Sequence, residues 1–185
     1  FDAHCDTLSR MAYLPGAHLE RRTGQWDLEK LSRFDGPKAQ IFAVFYDSAL
    51  PGASRAAERQ IAVFCRECER NQDRVVSCVD ASQAEQAFAD GKLAAFLSVE
   101  GAELLDCAVG KLDWAYARGV RFINLTWNHA NALSGSHCDE PERGLSGQGR
   151  DFVRRMEQLG MLPDVSHLSD AGFWDLAECT NSPII

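Results

Sequence analysis

Short apolar runs recur along the chain, and between them lie longer segments whose apolar residues fall three and four apart. The runs read as strands at Phe1 to Cys5, Ala39 to Phe45, Ala94 to Val99, Phe122 to Thr126 and Met161 to Ser166, with an incipient one at Pro183 to Ile185. The spacing predicts helices over Ser54 to Asn71, Ser82 to Ala89, Lys111 to Arg118, Gly147 to Leu159 and Ser169 to Glu178. Gly119 and Gly160 stand where a helix C-cap glycine precedes a strand, and Ser82 and Ser169 read as N-caps. Such alternation is the signature of βα units around a parallel sheet. The near-continuous apolar runs Gln40 to Phe45 and Ala94 to Val99 fit strands buried on both faces. Periodicity alone leaves an open sheet and a closed barrel equally possible, but no glycine-rich phosphate loop follows any strand.

Composition narrows the class. At 185 residues, 45% hydrophobic and 25% charged, the chain has material for one sizeable core, though barrels commonly need more length. A formal net charge of -8, from 19 basic and 27 acidic residues, disfavours nucleic acid. No apolar run approaches the roughly 20 residues needed to span a bilayer. Seven scattered cysteines, an odd number, point to reduced thiols and a cytoplasmic setting. Cys65 and Cys68 form a CxxC pair, but within a helical stretch and without a second pair to complete a metal site. The sequence opens at once on strand-like residues, so no signal peptide is expected and the start reads as cut, and the Asn124-Leu125-Thr126 glycosylation pattern falls inside a strand, so it is discounted.

Candidate chemistry gathers at the ends of the runs. His4 and Asp6 are two residues apart, so on an extended chain both face the same way and can share one divalent ion. Alone, such a pair is compatible with a turn or cap. Glu100 ends a buried run, where an acid can also serve as a helix-start charge, and His167 ends another, where a polar rim residue would be ordinary. Three metal-competent strand ends together are more specific than any one, because barrels collect catalytic groups at that edge.

These residues resemble the membrane (renal) dipeptidases and their bacterial relatives among the metal-dependent hydrolases. The resemblance is carried by Asp2-Ala3-His4-Cys5-Asp6-Thr7, Ala39 to Phe42, Ser98-Val99-Glu100-Gly101, Gly119 to Asn128, Gly144-Leu145-Ser146 and Leu159 to His167. It implies a (β/α)8 TIM-barrel-like fold of which residues 1-185 supply about the first five βα units, as the N-terminal portion of one catalytic domain. It further implies two zinc ions, with His4 and Asp6 on one, His167 on the other and Glu100 bridging both. A hydroxide held between the ions would hydrolyse the amide bond of a dipeptide, a D-residue being tolerated at the C-terminal position.

The family's second histidine on the other metal is expected directly after the final Ser-Pro-Ile-Ile, and its substrate arginine and proton-transferring aspartate later still. Where the renal branch carries a substrate-contacting histidine, this sequence has Trp127, as bacterial members do, and Trp127, Asn128 and His129 are the candidate substrate contacts. His137 reads as an exposed loop residue. A barrel cut after five units exposes sheet edges, so the expectation is either a longer protein or a homodimer. Another amidohydrolase-type zinc hydrolase, or an incomplete fragment acting as an interaction module, are the competing readings.

Overall fold

A computed structural model describes residues 1–20 and 24–185. In chain order the elements are β1 (Asp2–Cys5), α1 (Thr7–Tyr13), α2 (Leu28–Leu31), β2 (Lys38–Phe45), α3 (Ala53–Arg70), β3 (Val75–Ser77), α4 (Ala81–Ala89) and β4 (Leu93–Glu100). A 3₁₀ turn over Ala102–Leu105 follows, then α5 (Lys111–Tyr116), β5 (Val120–Asn124), α6 (Gly147–Leu159), β6 (Leu162–Asp164) and α7 (Asp170–Cys179).

Every strand pair is parallel, in the order β1-β2-β4-β5-β6. The short β3 shares β4 with β5. It pairs with Leu93 to Ala95, and β5 takes over that side from Leu97 onward. The result is a half-barrel built from successive βα units. Beyond β6 the chain starts one further parallel pairing, because the Val165 amide donates to the Ile185 carbonyl at 2.8 Å and the Ile185 amide to Pro163 at 3.1 Å.

One large buried cluster joins β2, β4 and β5 to the helices through Phe42, Leu97, Ile123, Phe64, Phe152 and Met156. Along β4 the side chains alternate, so Leu97 and Val99 serve that cluster while Ser98 and Glu100 share the face of Phe96. Phe96 meets Phe122 of β5 edge-on at 5.9 Å, which puts Asn124 on the same face as Glu100. Register then aligns Phe45, Glu100, Asn124 and Asp164 across the C-terminal edge of four strands.

Two local expectations change. The N-cap of α4 is Asp80, whose carboxylate accepts from the Gln83 amide; Ser82 already lies inside the helix. Helix α5 stops at Tyr116 and the chain turns through Gly119 at φ 90°. Ser169 and Gly160 hold the capping places expected of them, and Asn124 is buried, which suits a strand rather than a glycosylated loop.

Candidate metal centre

Each candidate ligand is presented by the end of a strand. His4 is in β1 and Asp6 follows it. Asp6 occupies the N-cap position of α1 but makes no side-chain cap bond, which leaves its carboxylate free to face His4 Nε2 at 3.4 Å. Glu100 ends β4 with 7% of its side chain exposed, and its two oxygens diverge. Oε2 is 3.5 Å from His4 Nε2, and Oε1 is 3.1 Å from His167 Nε2. Donor atoms of His4, Asp6 and Glu100 lie within 4.8 Å of one another.

His167 follows β6 in the left-handed region, at φ 68°. Its carbonyl accepts from Thr126 Oγ1 at 3.2 Å and from the His137 amide at 3.0 Å, so two neighbouring loops hold the strained turn that aims the ring at Glu100. His167 Nδ1 is buried without a hydrogen-bond partner among the described residues.

Burial pushes the Glu100 carboxyl up to about 7, with His4 pulling it down and Asp6 and Asp164 pushing it further up. The hydrogen bond to Asp6 raises His4, against the effect of its burial. Burial and then His137 lower His167. Three carboxylates around two imidazoles, one of them with an orphaned ring nitrogen, form an oxygen- and nitrogen-rich donor set short of positive charge. A divalent cation fits it and would reverse the cost of ionising Glu100.

Two residues of this neighbourhood were not singled out from the sequence. Asp164 is buried, accepts from the Ser166 amide at 2.9 Å and acts electrostatically on His4, Glu100 and His167. Asn124 leaves its buried Oδ1 without a hydrogen bond among the described residues. Both sit one strand over from Glu100 or its neighbour in register, a signal that needs the sheet order. His137 is exposed as expected, yet its ring lies 5.6 Å from that of His167.

Trp127 packs on Phe45 at 4.8 Å and lies 6.4 Å from His167, so it walls the site. His129 is exposed beside it at 6.1 Å, and Asn128 is half-buried between them in the chain. On the other side a cleft of 880 Å³ is lined by His4, Asp6, Arg10, Met11 and Trp26.

Residues 1–185 match the family described as membrane dipeptidase (Peptidase family M19). The chain belongs to that family. An uncharacterized protein of Acinetobacter calcoaceticus is 28% identical over 215 residues, covering 100% of this chain and 68% of the relative. An uncharacterized dipeptidase of Schizosaccharomyces pombe is 38% identical over 124 residues, covering 64% of this chain and 29% of its own length.

Among solved structures, the dipeptidase AC, a metallopeptidase, superposes with a TM-score of 0.87 at 24% identity, over 100% of this chain and 61% of that one. A Rhodobacter sphaeroides metallopeptidase holding a phosphinate mimic of the dipeptide L-Ala-D-Ala gives 0.84 at 21%, over 98% and 62%. These structural likenesses establish the half-barrel as part of the family's barrel fold. The chain thus spans less than two thirds of both solved structures and under a third of the S. pombe relative.

Proposed function

We propose that residues 1–185 are the N-terminal portion of the (β/α) barrel catalytic domain of a zinc-dependent dipeptidase. The observation that carries this is the divergence of the Glu100 oxygens toward His4 on one side and His167 on the other, in a chain of the membrane dipeptidase family. A carboxylate so placed suits two divalent cations, His4 and Asp6 holding one, His167 the other and Glu100 both. Imidazole donors beside the carboxylates favour zinc over the harder cations that all-oxygen sites take. When bound, such a pair lowers the pKa of a shared water toward neutrality and polarises the scissile carbonyl.

The chain's own residues do the positioning. Thr126 and the His137 amide keep His167 in its left-handed turn, and the Trp127–Phe45 pair forms an apolar wall that would help exclude water from the site when metal is bound. Asn128 and His129, which follow Trp127 in the chain, would hydrogen-bond the dipeptide. The L-Ala-D-Ala mimic bound by the R. sphaeroides metallopeptidase makes an L,D-dipeptide the first substrate to try.

The test is metal content by plasma emission spectrometry on the full-length protein purified without added metal, with hydrolysis of L-Ala-D-Ala measured alongside. The expectation is about two zinc ions per chain, and a loss of both metal and at least about 100-fold in kcat/KM in Glu100→Ala. A full-length protein that binds no divalent metal would overturn the reading. One that binds two but cleaves no dipeptide would point to another metal-dependent hydrolysis on the same scaffold.

A further inference from the structure

A metal-binding imidazole usually has its second ring nitrogen held by a carboxylate or a carbonyl, which fixes the rotation of the ring. His167 lacks that hold among the described residues: Nε2 faces Glu100 at 3.1 Å, while Nδ1 is buried without a hydrogen bond. The direction of the ring therefore depends on the backbone that carries it. That backbone sits at φ 68°, where a residue other than glycine stays only if its surroundings hold it.

The loop between β5 and α6 supplies the hold. Its residues 135–137 run antiparallel to residues 167–169, with Ser136 and Leu168 paired in an isolated bridge. The Ser169 amide donates to the Gly135 carbonyl at 3.3 Å, and the His137 amide to the His167 carbonyl at 3.0 Å. Gly135 lets this loop fold tightly on itself, since a methyl group there would collide with the Glu140 and Arg143 carbonyls.

The His137 side chain makes a second contact with the same oxygen, its Nδ1 lying 3.3 Å from the His167 carbonyl. A carbonyl only accepts, so Nδ1 carries the proton, and Nε2 of the neutral ring is an acceptor. The Cys138 thiol stands 3.0 Å from that Nε2 and donates to it. With Thr126 Oγ1 at 3.2 Å, three donors converge on the His167 carbonyl, one of them the middle link of a chain from thiol to imidazole to carbonyl. Neither side chain has a part in the function proposed above.

We propose that the side chains of His137 and Cys138 are positioning residues for the metal ligand His167, acting through its main-chain carbonyl and touching neither metal nor substrate. The thiol selects the tautomer and rotation of the His137 ring, the ring braces the left-handed turn, and the turn aims His167 at Glu100. The proposal rests on the metal-binding reading above and deepens it.

The experiment uses the full-length protein and zinc itself. Zinc-loaded wild type, His137→Ala, His137→Asn, Cys138→Ala and Cys138→Ser are titrated with a chromophoric chelator that resolves the two ions, and His167→Ala identifies which ion belongs to the His167 side. In His137→Ala that ion should bind about tenfold more weakly and the other as in wild type. His137→Asn, whose side-chain amide can donate from the place of Nδ1, should recover most of the loss. Cys138→Ala should weaken the same ion about threefold, one link further from the metal, and Cys138→Ser, which keeps an O–H donor, should not. The change at exposed Cys138 keeps the test usable if His137→Ala does not fold. Cobalt(II) in place of zinc reads the site without turnover: the visible bands of the His167-side ion should shift in His137→Ala and return in His137→Asn. For L-Ala-D-Ala, kcat should fall in His137→Ala with KM within about threefold.

Unchanged affinity for both ions in His137→Ala, equal weakening of both, or alanine losses that Asn and Ser do not recover would overturn the proposal. So would a loss of stability in urea that is the same with and without zinc, which is the mark of a role in the loop alone. A full-length wild type that binds no divalent metal would remove this proposal and the dipeptidase reading together. One that binds two zinc ions and cleaves no dipeptide would remove only the dipeptidase reading, since the affinities need no turnover.

Discussion

Glu100 is the residue on which the site turns. It is a carboxylate buried at a strand end, raised to about 7 by that burial, and it has an imidazole on each oxygen. Folding alone gains little from this arrangement, since burying a carboxyl costs stability even beside two imidazoles. The cysteines show the same physics without the chemistry. Burial pushes Cys68 and Cys107 up to about 12, whereas Cys65 and Cys138 are exposed. In native protein at about pH 8, a thiol reagent should label Cys65 and Cys138 quickly and Cys68 and Cys107 only after unfolding; mass mapping reads the order, and prompt labelling of Cys107 would contradict the burial. The sign for stability follows. The two thiols stay neutral in the fold while those of the unfolded chain ionise from the ordinary value of 9.0, so stability is intact below pH 9 and declines as pH rises from there toward about 12.

At the level of elements, the loops between strand and helix are fixed by caps and close backbone approaches. Asp80→Ala should cost about 1 kcal/mol in thermal or urea unfolding of the full-length protein, and Ser82→Ala less than about 0.5 kcal/mol, because the cap bond belongs to Asp80. Equal losses would return the cap to Ser82. Helix α6 begins against the loop that follows β5. Ser146 caps the Gly149 amide at 3.0 Å, and a methyl group at Gly149 would sit 2.3 Å from the Leu133 carbonyl. Gly149→Ala should therefore destabilise by about 2 kcal/mol and displace the 131–146 segment, which heteronuclear NMR shifts of Leu133 and Ser134 would report. The elements least legible in the sequence were the shortest. β3 has three residues, too few to show a period, α2 has four with Leu28 buried, and α1 puts Leu8, Met11 and Ala12 on one face but over only seven residues.

The molecule as a whole is a sheet whose outer strand β1 pairs, among the described residues, only with β2. Phe1 and Phe34, both largely exposed, lie along that margin around a cleft of 440 Å³. Residues 1–185 expressed alone should therefore self-associate, seen as a dimer or larger species by sedimentation at micromolar concentration, whereas the full-length protein should not do so through this edge. A stable, monodisperse 185-residue monomer would count against the half-barrel's need for a cover. Among the described residues no helix is long and apolar enough to cross a membrane. The sequence by itself determined the parallel βα order, because strands buried on both faces must read as continuous apolar runs. It also put His4, Asp6, Glu100 and His167 at the ends of those runs as residue types a metal ion can use, and the resemblance to the dipeptidase family made them a candidate ligand set. Only the tertiary structure decided that the four meet, with Glu100 turning one oxygen to each histidine, since that depends on register between strands nearly a hundred residues apart. It also brought Asp164 and Asn124 to the edge beside Glu100, neighbours that are distant in the chain and leave no periodic mark within it.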